Sequence, residues 1–77
     1  MKAREVLNKI KWTEEEGLSL VKLTYKDRMT VTGTKIIEGK DIISLERKYF
    51  NTATIRLPYY KILKIEHKEV VIWERLK

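Results

Sequence analysis

The hydrophobic positions along this chain change period once, shortly after the first ten residues. Ala3, Val6, Leu7 and Ile10 recur at i, i+3, i+4 and i+7, which lines one face of a helix. Lys2, Arg4, Glu5, Asn8, Lys9 and Lys11 cover the other face. The pattern predicts a short amphipathic helix of about three turns, ending near Trp12. Thr13, followed by Glu14, Glu15 and Glu16, is suited to cap a further helical turn, and Gly17 to stop it.

From Leu18 onward the period is two. Val21, Leu23 and Tyr25 alternate with Lys22, Thr24 and Lys26, as in a half-buried strand. Leu18 and Leu20 fall in the opposite phase, so a bulge or kink is expected near Leu20. Residues 26–33, KDRMTVTG, have no periodicity and read as a connection. Residues 34–37 form a second short strand and 38–41 a turn. Residues 42–50 form a third strand, or a helical turn leading into one. Asn51 and Thr52 turn the chain, and 53–57 form a fourth strand. Pro58 ends that strand, because proline cannot donate to a ladder. Residues 62–66 and 70–74 form a last pair joined through His67 and Lys68. The expected fold class is α+β: an N-terminal helix packed on a curled, mostly antiparallel sheet, or partly closed barrel, of five to six short strands. Closure would remove exposed strand edges. Trp12, which follows the apolar helix face, and Trp73, in the last strand, are expected in the core as a clamp between helix and sheet.

Length and charge add partners to this picture. Residues 1–77 make one small domain, a size that buries only about 60% of its unfolded surface. No cysteine is present, so disulfides and thiolate metal sites are excluded. The N-terminus, MKAREVLNKIKW, is too charged for a signal peptide, and no apolar run is long enough to span a membrane. A cytoplasmic location with no membrane partner is expected. Charged residues are 36% of the chain, glutamine is absent, and asparagine occurs only at Asn8 and Asn51. That mix leans toward a thermophile. The net charge is +6. Residues 1–11 hold four bases and one acid, residues 14–16 are all glutamate, and the remainder holds thirteen bases against seven acids. Such an excess fits either a well-solvated surface or an electrostatic footprint for an anionic polymer.

Catalytic signals are poor. His67 is the single histidine, which excludes a two-histidine phosphodiesterase or nuclease and, with no cysteine, argues against zinc. It is expected as a solvated turn residue. Glu14, Glu15 and Glu16 would point in three directions on a helix, so they read as acidic charge at a helix start rather than a metal site. Asp27, Glu38 and Asp41 lie near turns and define no magnesium site. There is no GxGxxG, no GxxxxGK and no serine-centred elbow. Neither enzymatic activity nor a cofactor is expected.

The positive signal is the interleaving of rings and bases. Tyr25-Lys26-Asp27-Arg28, Arg47-Lys48-Tyr49-Phe50 and Tyr59-Tyr60-Lys61 each set a ring beside a cation. Single-stranded nucleic acid asks for this pairing, since rings stack on bases while Lys and Arg neutralise phosphates. The competing reading is core packing, because a strand tyrosine often buries its ring and leaves its hydroxyl wet. Adjacent Tyr59 and Tyr60 cannot both point inward from an extended backbone.

Four stretches taken together resemble a known family: REVLNKIKW at 4–12, YKDR at 25–28, PYYKILKIE at 58–66 and VIWER at 71–75. The family comprises small, mainly archaeal proteins of unknown function. Its domain also occurs fused to RNA-repair and RNA-processing enzymes, where it has been proposed to recognise RNA ends bearing a 2′,3′-cyclic phosphate. Two departures stand out. The family pattern has histidine and arginine after the Pro-Tyr pair, where this chain has Tyr60 and Lys61. It also has histidine, arginine and glycine after the first strand, where this chain has Asp27, Arg28 and Met29. Lys61 can bind phosphate as a point charge but without the bidentate fork of arginine. Tyr60 can stack or donate one hydrogen bond.

The resemblance and the residues together lead to a non-catalytic RNA-binding module whose partners are single-stranded or end-containing RNA and RNA-processing enzymes. Arg28 and Lys61 are expected to hold phosphate. Tyr59 or Tyr60 would stack on a terminal base, Lys26, Arg56 and Arg75 would supply the surrounding field, and Tyr25 is a further expected contact to the nucleic acid. The alternative is a protein-interaction module using a strand edge or the Tyr59–Tyr60 patch.

Overall fold

A computed structural model describes residues 2–75. It begins with α1 (Ala3–Thr13), in which Ala3, Val6, Leu7 and Ile10 form the buried stripe that the spacing predicts. Seven strands follow among the described residues: β1 (Val21–Lys26), β2 (Thr34–Glu38), β3 (Ile42–Leu45), β4 (Tyr49–Thr52), β5 (Arg56–Pro58), β6 (Ile62–His67) and β7 (Val70–Glu74). They pair antiparallel throughout, as a four-stranded sheet in the order β2-β1-β6-β7 and a three-stranded sheet in the order β3-β4-β5. The α+β class stands. The strands form two curled sheets and no closed barrel.

The chain passes between the sheets twice, each time through a single 3-10 turn. Gly39–Asp41 leads from β2 into β3, and Tyr59–Lys61 leads from β5 into β6. In both, the isoleucine that follows donates its N–H to the first carbonyl of the turn: Ile42 to Gly39 and Ile62 to Tyr59. The three-stranded sheet is therefore an excursion from the larger one, bracketed by two similar turns. Gly39 is required by space: a Cβ there would collide with the carbonyl of Leu18.

The core lies between α1 and the two sheets. Leu7, Val21, Leu23, Phe50, Ile62 and Ile65 are fully buried, and a large apolar side chain so placed contributes about 1.5–3 kcal/mol. Tyr25, Leu57 and Tyr59 join them, with Leu18, Ile37, Ile42, Leu45 and Trp73 packed around the edge. The β1 alternation reads buried–exposed along its length, as its sequence predicts.

Several expectations are corrected. Trp12 is 79% exposed and forms no clamp. It lies about 200° round the helix from Ile10, on the face opposite the apolar stripe. Thr13 is the last helical residue, not a cap; its hydroxyl donates to the Lys9 carbonyl at 2.6 Å, and Glu14 is already extended. Leu18 and Leu20 lie in the turns before β1, and the register shift of β1 against β6 falls between Thr24 and Tyr25. Residues 42–50 are two strands rather than one. The chain reverses at residues 46–48, and Asn51 and Thr52 belong to β4. The fourth expected strand shortens to β5. His67 is not a solvated turn residue. It closes β6 with its side chain only 13% exposed, and its Nε2 lies 3.6 Å from Glu14 Oε1.

The β6–β7 hairpin turns on Lys68 and Glu69, both at positive φ, 52° and 68°. Such turns match the twist of a hairpin, but residues with a Cβ adopt this conformation at a cost of about 1 kcal/mol or more each. No helix among the described residues is long and apolar enough to cross a membrane.

Candidate nucleic-acid interface

A cavity of about 950 Å³ opens where the start of α1 meets the smaller sheet. Its wall is assembled from four places distant in sequence. Lys2, Ala3, Arg4 and Glu5 come from the first turn of α1. Arg47, Lys48 and Tyr49 come from the β3–β4 turn and the start of β4. Arg56, Pro58, Tyr59 and Tyr60 come from β5 and its 3-10 turn, and Trp73 and Arg75 come from the end of β7. Six of these thirteen residues are cationic and one is acidic. None of the six cations forms an ion pair with a carboxylate among the described residues; outside the lining Lys35, Lys40, Lys64 and Lys68 do, and Lys9, Lys11, Lys22, Lys26, Arg28 and Lys61 do not.

Three of the four lining arginines are held by backbone carbonyls, a side-chain amide or rings instead. Arg75 donates from Nε to the Ile62 carbonyl at 3.0 Å and from Nη2 to the Tyr59 carbonyl at 3.3 Å, and its guanidinium lies 5.2 Å from the centre of the Trp73 ring. Arg56 stacks 4.5 Å over the Tyr49 ring and donates to Asn51 Oδ1, while Asn51 donates in turn to Ser44 Oγ. Arg4 Nε donates to the Glu46 carbonyl at 3.3 Å. Stacked and tethered this way, each guanidinium is oriented yet keeps several of its five N–H donors for an anion. The first turn of α1 adds to the field. Its residues Lys2 to Glu5 lie in the lining, so the positive end of the helix dipole faces this side.

The rings divide into scaffold and surface. Tyr59 is 8% exposed; its hydroxyl donates to the Glu46 carbonyl at 2.7 Å, and its ring lies 5.8 Å from that of Phe50. Burial pushes the Tyr59 phenol above its ordinary value, an effect that neighbouring Arg4 opposes and Glu46 reinforces. It therefore stays protonated and keeps donating. Tyr60 is 70% exposed at the cavity wall. The adjacent tyrosines thus split, one in and one out.

The sequence-predicted residues are distributed unevenly. Arg56, Tyr59, Tyr60 and Arg75 come together in the cavity lining. Tyr25 is 7% exposed within the core and offers no face for stacking, because it occupies an inward position of β1. Lys26, Arg28 and Lys61 are exposed but outside the lining. Pairing of Tyr25 with Ile62 sets the start of the β1–β2 connection beside the Tyr59–Lys61 turn, so these three occupy the same end of the larger sheet. Asp27, at one of the positions where the family pattern has histidine, is occupied locally. Its Oδ1 accepts from the Met29 N–H at 2.8 Å and its Oδ2 lies 3.8 Å from Lys35 Nζ; it shapes the turn. Lys2, Arg4, Arg47, Lys48, Tyr49 and Trp73 line the cavity without having been predicted to do so. Arg47-Lys48-Tyr49 carried the ring–base signal, but Lys2 and Arg4 read only as the wet face of a helix.

No cluster of histidine and carboxylate side chains that could hold a metal occurs among the described residues. The chain belongs to the family defined by the MJ1316 RNA cyclic group end recognition domain, whose model matches residues 1–75. It is similar to UPF0248 protein SSO2687 of Saccharolobus solfataricus, 30% identical over 80 residues that cover 97% of this chain and 98% of that protein. No solved structure matches the chain.

Proposed function

We propose that this chain is a non-catalytic RNA-binding module that holds RNA ends carrying a 2′,3′-cyclic phosphate in the cavity beside α1. The family description supports the ligand class. The observation that carries the reading is the group of six cations with no ion-paired carboxylate, set among ring faces in one cavity. Uncompensated like charge in a small fold is repulsive, and a phosphate relieves that repulsion. Oriented guanidinium groups supply charge-assisted hydrogen bonds to its oxygens, and exposed Tyr60 supplies a stacking face for the terminal base. The non-catalytic part is supported by the lining itself. His67, the single histidine, lies at the opposite end of α1 and outside the lining.

The test is a titration of short RNAs ending in a 2′,3′-cyclic phosphate or a 3′-hydroxyl. Cyclic-ended RNA should bind more tightly, with a salt slope of about −0.7 per phosphate engaged. No binding of either RNA at low salt overturns the reading. Release of a 3′- or 2′-phosphate product would overturn the non-catalytic part.

A second reading has its own observation. β7 is an edge strand of the larger sheet, and Val70, Val71 and Ile72 on it are 61%, 47% and 42% exposed. An apolar edge of this kind accepts an added strand. Co-purification of a protein partner that Val71→Lys abolishes, without any RNA binding, would favour it.

A further inference from the structure

We infer that the cavity contains two anion subsites, one at each end of the Tyr59 side chain, and that it engages the last two phosphates of an RNA strand rather than the terminal group alone. The inference rests on the RNA-end reading above and adds the length of strand that is read. Arg75 Nη2 is tied to the Tyr59 carbonyl at 3.3 Å. At the far end of the same residue, the Tyr59 hydroxyl and Arg4 Nε converge on one acceptor, the Glu46 carbonyl, at 2.7 and 3.3 Å. Two guanidinium groups are thus fastened to opposite ends of one tyrosine. The tyrosine cannot shorten, and its ring is buried against Phe50.

The spacing sets the ligand. The reach of a tyrosine from backbone to hydroxyl is comparable to the gap between successive phosphates of an extended strand. It is far greater than the separation of two oxygens on one phosphate, so a lone cyclic phosphate cannot occupy both guanidinium groups. Each arginine keeps unused donors: Arg4 spends Nε–H on the protein, and Arg75 spends Nε–H and one Nη2–H, out of five apiece. The cavity, at about 950 Å³, also lies at the upper end of the range for small-ligand sites, roughly 300–1,000 Å³. That is more room than a single nucleotide end needs.

The experiment compares three ligands on the unaltered chain: a nucleoside 2′,3′-cyclic monophosphate, a dinucleotide and a trinucleotide with the same cyclic end. The dinucleotide should bind roughly tenfold more tightly than the mononucleotide, the factor that accompanies one charge-assisted contact. Its salt slope should be steeper by about 0.7, and the trinucleotide should add much less than that second phosphate did. Arg4→Ala and Arg75→Ala should each weaken dinucleotide binding roughly tenfold and lower its salt slope by about 0.7. Equal affinity and slope for mono- and dinucleotide, with all three bound, overturns the two-subsite inference alone. Failure of all three to bind overturns the RNA-end reading and the inference with it. The length comparison needs no variant, so it stands even if Arg75→Ala does not fold.

Discussion

At the start of α1, Lys2 and Arg4 share a cavity wall with Arg47, Lys48, Arg56 and Arg75, and Glu5 is the single acid in the lining. At the other end of the same helix, one carboxylate sits beside a lysine and a histidine: Glu14 Oε1 lies 3.8 Å from Lys68 Nζ and 3.6 Å from His67 Nε2. The first region gathers like charge and steadies it with carbonyls and rings. The second region pairs opposite charge across the junction of helix and hairpin. The difference separates two uses of charge in one small fold. Paired charge at the far end gives modest local stability, as partly exposed ion pairs generally do. Unpaired charge at the near end is a standing repulsion that only an external anion relieves. Net charge by itself says nothing of this, because the same +6 could be spread evenly.

The strongest way to break the comparison is to remove Arg4, Arg56 and Arg75 together. RNA affinity should fall at least about a hundredfold, since each charge-assisted contact is worth about 1.5–3 kcal/mol. Melting, in contrast, should change far less than affinity; a fluorescence anisotropy titration showing under tenfold loss would sink the near-end assignment. Tyr59→Phe sharpens it by touching the scaffold alone. Loss of the hydroxyl bond to Glu46 should cost about 1 kcal/mol and leave most RNA binding intact. The sign of the pH effect follows from the raised phenol. Above its ordinary value of 10.0 the unfolded chain ionises Tyr59 while the folded chain resists. The stability due to this group is therefore complete below about pH 10 and declines as pH rises toward the folded value. Melting curves from pH 9 to 11 should fall less steeply for Tyr59→Phe than for the parent chain. At the far end, changing Lys68-Glu69 to Asn-Gly should raise stability by about 1 kcal/mol by relieving two positive-φ positions, with no change in RNA affinity. The smallest effect belongs to Glu14→Gln, which should lower stability by less than about 1 kcal/mol and leave RNA binding untouched; an altered affinity there would show that the two ends are not independent.

Much of the scaffold was legible because it obeys local periods. Ala3, Val6, Leu7 and Ile10 announce the helix face, and Val21, Leu23 and Tyr25 announce β1. The same helical period also sets Trp12 off the apolar stripe, so its exposure was readable from its spacing rather than from its size. The β3–β4 reversal was hidden because residues 46–48 are Glu, Arg and Lys, with none of the glycine, proline or asparagine that usually marks a turn. The candidate site was half legible. Ring–base neighbours flagged Arg56, Tyr59 and Tyr60, but the cavity depends on Arg4 meeting the carbonyl of Glu46, forty-two residues away. No local pattern encodes that meeting; it is fixed by how α1 docks on the sheets. Asp27 and Tyr60 stand where the family pattern has histidine, and the structure gives them different work, one shaping a turn and the other facing solvent.

The two 3-10 crossings carry a consequence for variation. Because the chain departs the larger sheet at Gly39 and rejoins it at Ile62, the β3–β4 tip can be lengthened or recharged without disturbing the pairing of β1, β2, β6 and β7. One rim of the cavity is in effect an interchangeable lip on a fixed bowl. Exchanging the side chains of Arg47 and Lys48, with the Glu46 carbonyl kept in place for Tyr59 and Arg4, is then a direct route to a relative with altered ligand preference and an unchanged frame.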